Sequence, residues 1–149
     1  MALFFIGSMI GSGQNCMTQL NHPSLKVLYV IIVINIITTI FHYTHNVIHF
    51  DHYPEPTWLN ARVVDLFWFI MTPFALVAGW LYHKGRRYVG WIVLLLYVLM
   101  SLLVLGHYNY APFLSISFTI HLFIWLEVVA AVWLLAYSTW LTWYLKQLA

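Results

Sequence analysis

The sequence predicts an all-α fold, a four-helix bundle embedded in a membrane. Three observations carry this. Hydrophobic residues make up 63% of the 149 residues and charged residues only 7%, where a soluble domain has about 25% charged. Long apolar runs recur four times, separated by short polar or proline-bearing segments. Basic residues gather at one set of run ends, as they do in multi-pass membrane proteins.

The first span is read at about 25–50, with Pro23-Ser24 as the helix start and Ser24 as its N-cap. Pro54 and Pro56 close it. The second span is read at about 58–83 and contains Pro73, which removes one helical hydrogen bond. Lys84-Gly85-Arg86-Arg87 forms a tight basic turn into a third span at about 88–107. Asn109 to Pro112 breaks the chain before a fourth span at about 113–145, longer than a bilayer needs. These spans make one transmembrane domain over 1–149. The arm 1–23 begins MALFFIGSMIGSG, which is too short to span and lacks the basic flank of a secretory signal. It reads as an interfacial segment, or as sequence upstream of a start at Met17.

Lys26, Lys84, Arg86, Arg87 and Lys146 fall at one end of the spans and Arg62 at the other. The positive-inside rule then places both termini in the cytoplasm and the 51–57 and 108–112 loops outside. Tyrosines and tryptophans near the run ends, Trp58 and Tyr110 among them, suit an aromatic belt. The net charge of +2 and the absence of a basic tract exclude nucleic-acid binding. A single cysteine, Cys16, excludes an intramolecular disulfide and a thiolate-only metal site. Membrane lipid is the expected partner, with other membrane subunits or a second copy as further candidates.

Chemistry is expected from the histidines. His42, His45, His49 and His52 are spaced three, four and three residues apart, a stripe on one helix face. At about 1.5 Å per residue, His42 and His45 lie ~8–12 Å below the outer end of the first span. Asp65 on the second and His121 on the fourth fall about as deep, and His107 ends the third. Imidazoles and a carboxylate from four helices at one level suit a transition metal such as copper, iron or zinc. The candidate metal ligands are His42, His45, His49, Asp65, His107 and His121. His45 and His49 share the spacing of HExxH, but Asn46 stands where that motif has glutamate, so no metalloprotease follows.

Glu127 sits in a deeper layer with Asn35, Thr38, Thr39, Thr72, Tyr97 and Ser101. A carboxylate at that depth must be protonated, paired or wetted. Glu127 is therefore expected to handle protons, either hydrogen-bonded or joined to the histidines by water. Asp65 is expected to bind the metal or orient a ligand histidine. Together Glu127 and Asp65 are the candidate catalytic groups. The first functional expectation is a metal-dependent oxidoreductase or hydrolase acting on a lipid-soluble substrate. A second is a b-type haem electron carrier with His45 and His121 as axial ligands. A third is a non-catalytic small subunit of a respiratory or photosynthetic complex. His22 and His83 read as interfacial polar groups.

Overall fold

The computed structural model describes residues 23–147, so the expectations for Cys16, Met17 and His22 lie outside the described residues. Four α-helices account for most of the described chain: α1 (Pro23–Ile48), α2 (Ala61–His83), α3 (Arg87–Ser101) and α4 (Phe118–Gln147). Short 3-10 segments cover Phe50–His52, Leu102–Asn109 and Phe113–Ser115. There is no strand among the described residues. Each helix packs on its neighbour in the chain, and α4 closes against α1. Short connections make the neighbours antiparallel, so the chain runs up and down around one core.

Helix boundaries follow local chemistry. α1 is helical from Pro23, the first described residue. Ser24 therefore lies inside the helix and is not its cap. Asn60 caps α2, its side-chain oxygen accepting from the Val63 amide at 3.1 Å. α2 ends at His83, and the turn after it passes through Gly85, whose φ of 74° favours glycine. The third span changes from α to 3-10 after Ser101, which lengthens it, and Arg87–Asn109 is one apolar unit long enough to span a membrane. The fourth helix starts five residues later than the sequence suggests, at Phe118.

All four spans are long and apolar enough to cross a membrane, the architecture of a multi-pass membrane protein. Their outward faces carry exposed apolar side chains such as Val30, Phe41, Leu76, Leu99 and Val129. The core centres on Leu28, Met71, Ala75, Leu94, Val98, Ala131 and Leu134. A smaller cluster of Tyr53, Val104, Ile116, Ile120 and Ile124 anchors both long loops to the end of the bundle opposite the basic turn. Polar contacts tie the other end together: Tyr82 shares a 2.7 Å hydrogen bond with Thr142, and Tyr137 donates to the Ser24 carbonyl at 2.8 Å.

The α2–α3 crossing is the tightest described contact around a glycine. A Cβ on Gly90 would meet Tyr82 Cδ2 at 3.0 Å and the Ala78 carbonyl oxygen at 3.2 Å. A Cβ on Gly106 would meet nothing within 4 Å. Gly90→Ala is expected to destabilise the bundle by about 1–3 kcal/mol, because the backbone carbonyl cannot yield. Gly106→Ala is expected to stay within ~0.5 kcal/mol of the parent. Unfolding by sodium dodecyl sulfate in mixed micelles measures both.

Candidate functional site

Four polar residues of α1 point into the bundle: Asn35, Thr39, His42 and Asn46, all buried. Their spacing of four, three and four keeps them on one helical stripe. This inward stripe is not the one the histidines define. His45 sits about 60° around the helix from His42, at 100° per residue, and is half-buried on the flank. Its ring packs on Phe123 of α4, and its Nδ1 pairs with the Tyr53 hydroxyl at 2.8 Å. α1 ends at Ile48, so His49 and His52 leave the helix and lie exposed.

His42 meets Glu127. Its Nδ1 lies 2.7 Å from Glu127 Oε2, and the two side chains are 3% and 0% exposed. The contact is within ion-pair distance but off the angle of a well-aligned hydrogen bond. Ser101 Oγ donates to the other carboxylate oxygen at 2.7 Å. Three helices thus supply the pair and its support. The late start of α4 explains the meeting: counted from Phe118, Glu127 lies ~13 Å from the loop end, close to the ~9 Å depth of His42 counted from Ile48. Counted from residue 113, it falls in a deeper layer. The carboxylate contacts the imidazole directly.

A second imidazole–carboxylate contact lies above the first. His107 Nδ1 is 3.3 Å from the Pro54 carbonyl oxygen and 3.5 Å from Glu55 Oε1. The carbonyl can only accept, so Nδ1 carries the proton. The Asn46 amide donates to Glu55 Oε1 at 2.7 Å. The His42 and His107 rings are 5.6 Å apart, centroid to centroid, and Tyr53 lies against both. Burial pushes the Glu55 carboxyl above the usual carboxylate range, opposed by the Asn46 hydrogen bond and by His42. Burial also raises the Tyr53 phenol.

These groups border a cavity of about 360 Å³ between α1, α2, the third span and the 54–59 loop. His42, Asn46, Glu55 and His107 give it polar character, and Tyr43, Trp58, Leu59, Phe67, Leu103 and Tyr110 give it an apolar wall. The volume lies within the range of small-molecule sites, about 300–1,000 Å³.

The other sequence candidates stand apart from this point. His121 is committed at both nitrogens: Nε2 donates to the Phe113 carbonyl at 3.0 Å, and Nδ1 pairs with the Tyr108 hydroxyl at 2.9 Å. It clasps the 108–113 loop to α4. Asp65 is exposed and lines a separate groove of about 300 Å³ with Thr44, Trp68 and Phe69. His45 and His121 make no ring contact with each other among the described residues. His83 is exposed beside the basic turn. Among the described residues, no three His, Cys, Asp or Glu side chains are grouped so as to hold a metal ion.

Sequence reasoning passed over Glu55, Asn46 and Tyr53. One signal was available for Glu55: it is one of only four acidic residues, fixed between Pro54 and Pro56. No family model, curated protein or solved structure matches the chain.

Two outcomes test this geometry. Glu127→Leu leaves a buried imidazole and a buried hydroxyl without their partner, and is expected to cost about 3–5 kcal/mol, with Glu127→Gln costing less. Mixed-micelle unfolding reads both. Glu55 binds its proton more tightly in the folded protein than in the unfolded chain. Unfolding therefore releases that proton, and its contribution to stability falls as pH rises from about 4 through its raised value. Glu55→Gln is expected to remove this fall, so the parent-minus-variant stability difference decreases between about pH 4 and 7.

Proposed function

We propose that the protein binds a lipid-soluble molecule in the cavity beside Glu55 and exchanges a proton with it through the His42–Glu127 pair. The observation that carries this is the 2.7 Å contact between His42 Nδ1 and Glu127 Oε2 at the polar side of an apolar cavity. The contact engages Nδ1 and leaves Nε2 without a hydrogen-bond partner among the described residues. An imidazole so held can give or take a proton at Nε2 while the carboxylate fixes its orientation and balances its charge. Ser101 keeps Glu127 in place. Only the proton moves, between His42 Nε2 and the polar atom of the bound molecule. The basic residues Lys84, Arg86 and Arg87 lie at the opposite end of the bundle. By the positive-inside rule the cavity then belongs to the non-cytoplasmic half of the membrane, with both termini in the cytoplasm.

A second reading is favoured by one observation. His42 and His107 each have Nδ1 engaged, by Glu127 and by Pro54 and Glu55, with rings 5.6 Å apart. Metal-binding histidines are oriented through the second nitrogen in this way. Under this reading these two, and not the wider set, would hold copper, iron or zinc, with the remaining positions left to water or the bound molecule. Haem b at His45 and His121 is a weaker proposal, since both nitrogens of His121 are occupied within the chain.

The test uses an octyl-substituted nitrophenol, whose phenolate is coloured and whose phenol is not, with the protein in lipid nanodiscs. The bound probe is expected to ionise about one pH unit or more below its value in empty nanodiscs. His42→Gln is expected to bind the probe without that shift. A probe that titrates as in empty nanodiscs, or identically in the variant, contradicts the proposal. Stoichiometric copper, iron or zinc in the same preparation, lost in His107→Phe, would establish the second reading.

A further inference from the structure

Asn46 is 97% buried by its 3% exposure, borders the cavity, and is half satisfied. Its Nδ2 donates to Glu55 Oε1 at 2.7 Å, and that carboxylate partner fixes which end of the amide is nitrogen. Its Oδ1 has no hydrogen-bond partner among the described residues. A buried carbonyl oxygen left unpaired is disfavoured by desolvation, so native structures pair such atoms with protein, water or ligand. This one sits one helical turn from His42 on the same inward stripe, and both residues line the same cavity.

We infer that the molecule bound there carries a hydroxyl at the polar end of an apolar, ring-sized body. The inference rests on the reading of the cavity given above and names its ligand class. A hydroxyl is both donor and acceptor. Its hydrogen satisfies Asn46 Oδ1. Its oxygen accepts from His42 Nε2 when Nε2 carries a proton; when Nε2 does not, the single hydroxyl hydrogen turns from Asn46 Oδ1 to Nε2 and is the proton exchanged. The other head groups match less well. An ether or ketone cannot donate to Oδ1. A carboxylate cannot donate either and meets the Glu55 carboxyl. An ammonium donates but accepts nothing from Nε2. The body is set by the wall, where Tyr43, Trp58, Phe67 and Tyr110 offer ring faces and the cavity volume of about 360 Å³ suits a small aromatic or alicyclic molecule.

The experiment compares four probes of matched body on the protein in nanodiscs: para-octylphenol, its methyl ether, para-octylbenzoate and para-octylbenzylamine. Specific binding is the part lost in Gly106→Leu, which places a side chain in open space at the cavity wall. The phenol is expected to bind at least about tenfold more tightly than the ether, the order of one hydrogen bond. It is also expected to exceed the benzoate and the amine. Asn46→Leu is expected to reduce the phenol's advantage over the ether to about twofold or less, leaving ether affinity within a few-fold. Should that variant fail to fold, the unmodified protein's head-group order decides alone. Equal affinity for phenol and ether, or a preference for benzoate or amine, overturns the hydroxyl assignment and leaves the cavity as a binding site. Absence of specific binding by all four overturns the cavity reading as well.

Discussion

A carboxylate and an imidazole are buried inside the bundle and set against one another. Glu127 is fully buried and His42 nearly so. Neither could be kept there alone, because an isolated buried charge is far more expensive than the few kcal/mol that separate folded from unfolded chains. Each gives the other a polar partner at 2.7 Å, and Ser101 donates to the other carboxylate oxygen. Their meeting fixes the rotation of α1 and α4 about their axes and the level at which they cross. Replacing both by apolar residues could be stabilising.

Much else in the bundle follows from that placement. The inward face of α1 is polar over three turns, from Asn35 to Asn46. The apolar core is correspondingly displaced toward the end with the basic turn, where Leu28, Leu94 and Leu134 meet. At the other end the loops complete the site. Tyr53 packs under His42 and His107, and Glu55 reaches back to Asn46. The residues that form the cavity mouth are thus held by the same buried polar groups that line its interior. The 54–59 loop and the cavity lining are joined through the Asn46–Glu55 hydrogen bond.

The fold was largely legible because long apolar runs broken by short polar turns mark long helices directly. Four apolar runs became four spans, and the basic turn at Lys84–Arg87 fell between α2 and α3. The errors were at run ends, where composition stays apolar while the backbone changes. Nothing in LLVLGHYN distinguishes 3-10 from α geometry, and Phe113 to Ser117 is as hydrophobic as the helix that follows. That offset of five residues at the start of α4 moved Glu127 by more than one helical turn. It separated, in the sequence reading, two residues that touch. The histidine stripe was legible as a pattern but not as a direction. His42 faces inward, His45 faces the flank, and the end of α1 at Ile48 releases His49 and His52. His107 was placed at the correct end, but its partner Glu55 lies 52 residues away in the chain, beyond the reach of any local pattern.

The contact between His42 and Glu127 can be measured without any ligand. The chain has two glutamates, Glu55 and Glu127. Protein labelled with ¹⁵N in histidine and ¹³C in the glutamate carboxyls therefore reports few couplings in solid-state NMR of proteoliposomes. In His107→Phe, which removes the Glu55 contact, one histidine Nδ1 to glutamate carboxyl distance under about 4 Å is expected, as hydrogen-bond-range contact requires. It is expected to vanish when His42 is also replaced. No dipolar coupling in the His107→Phe protein, or a coupling that survives replacement of His42, would contradict the buried pair on which the account stands.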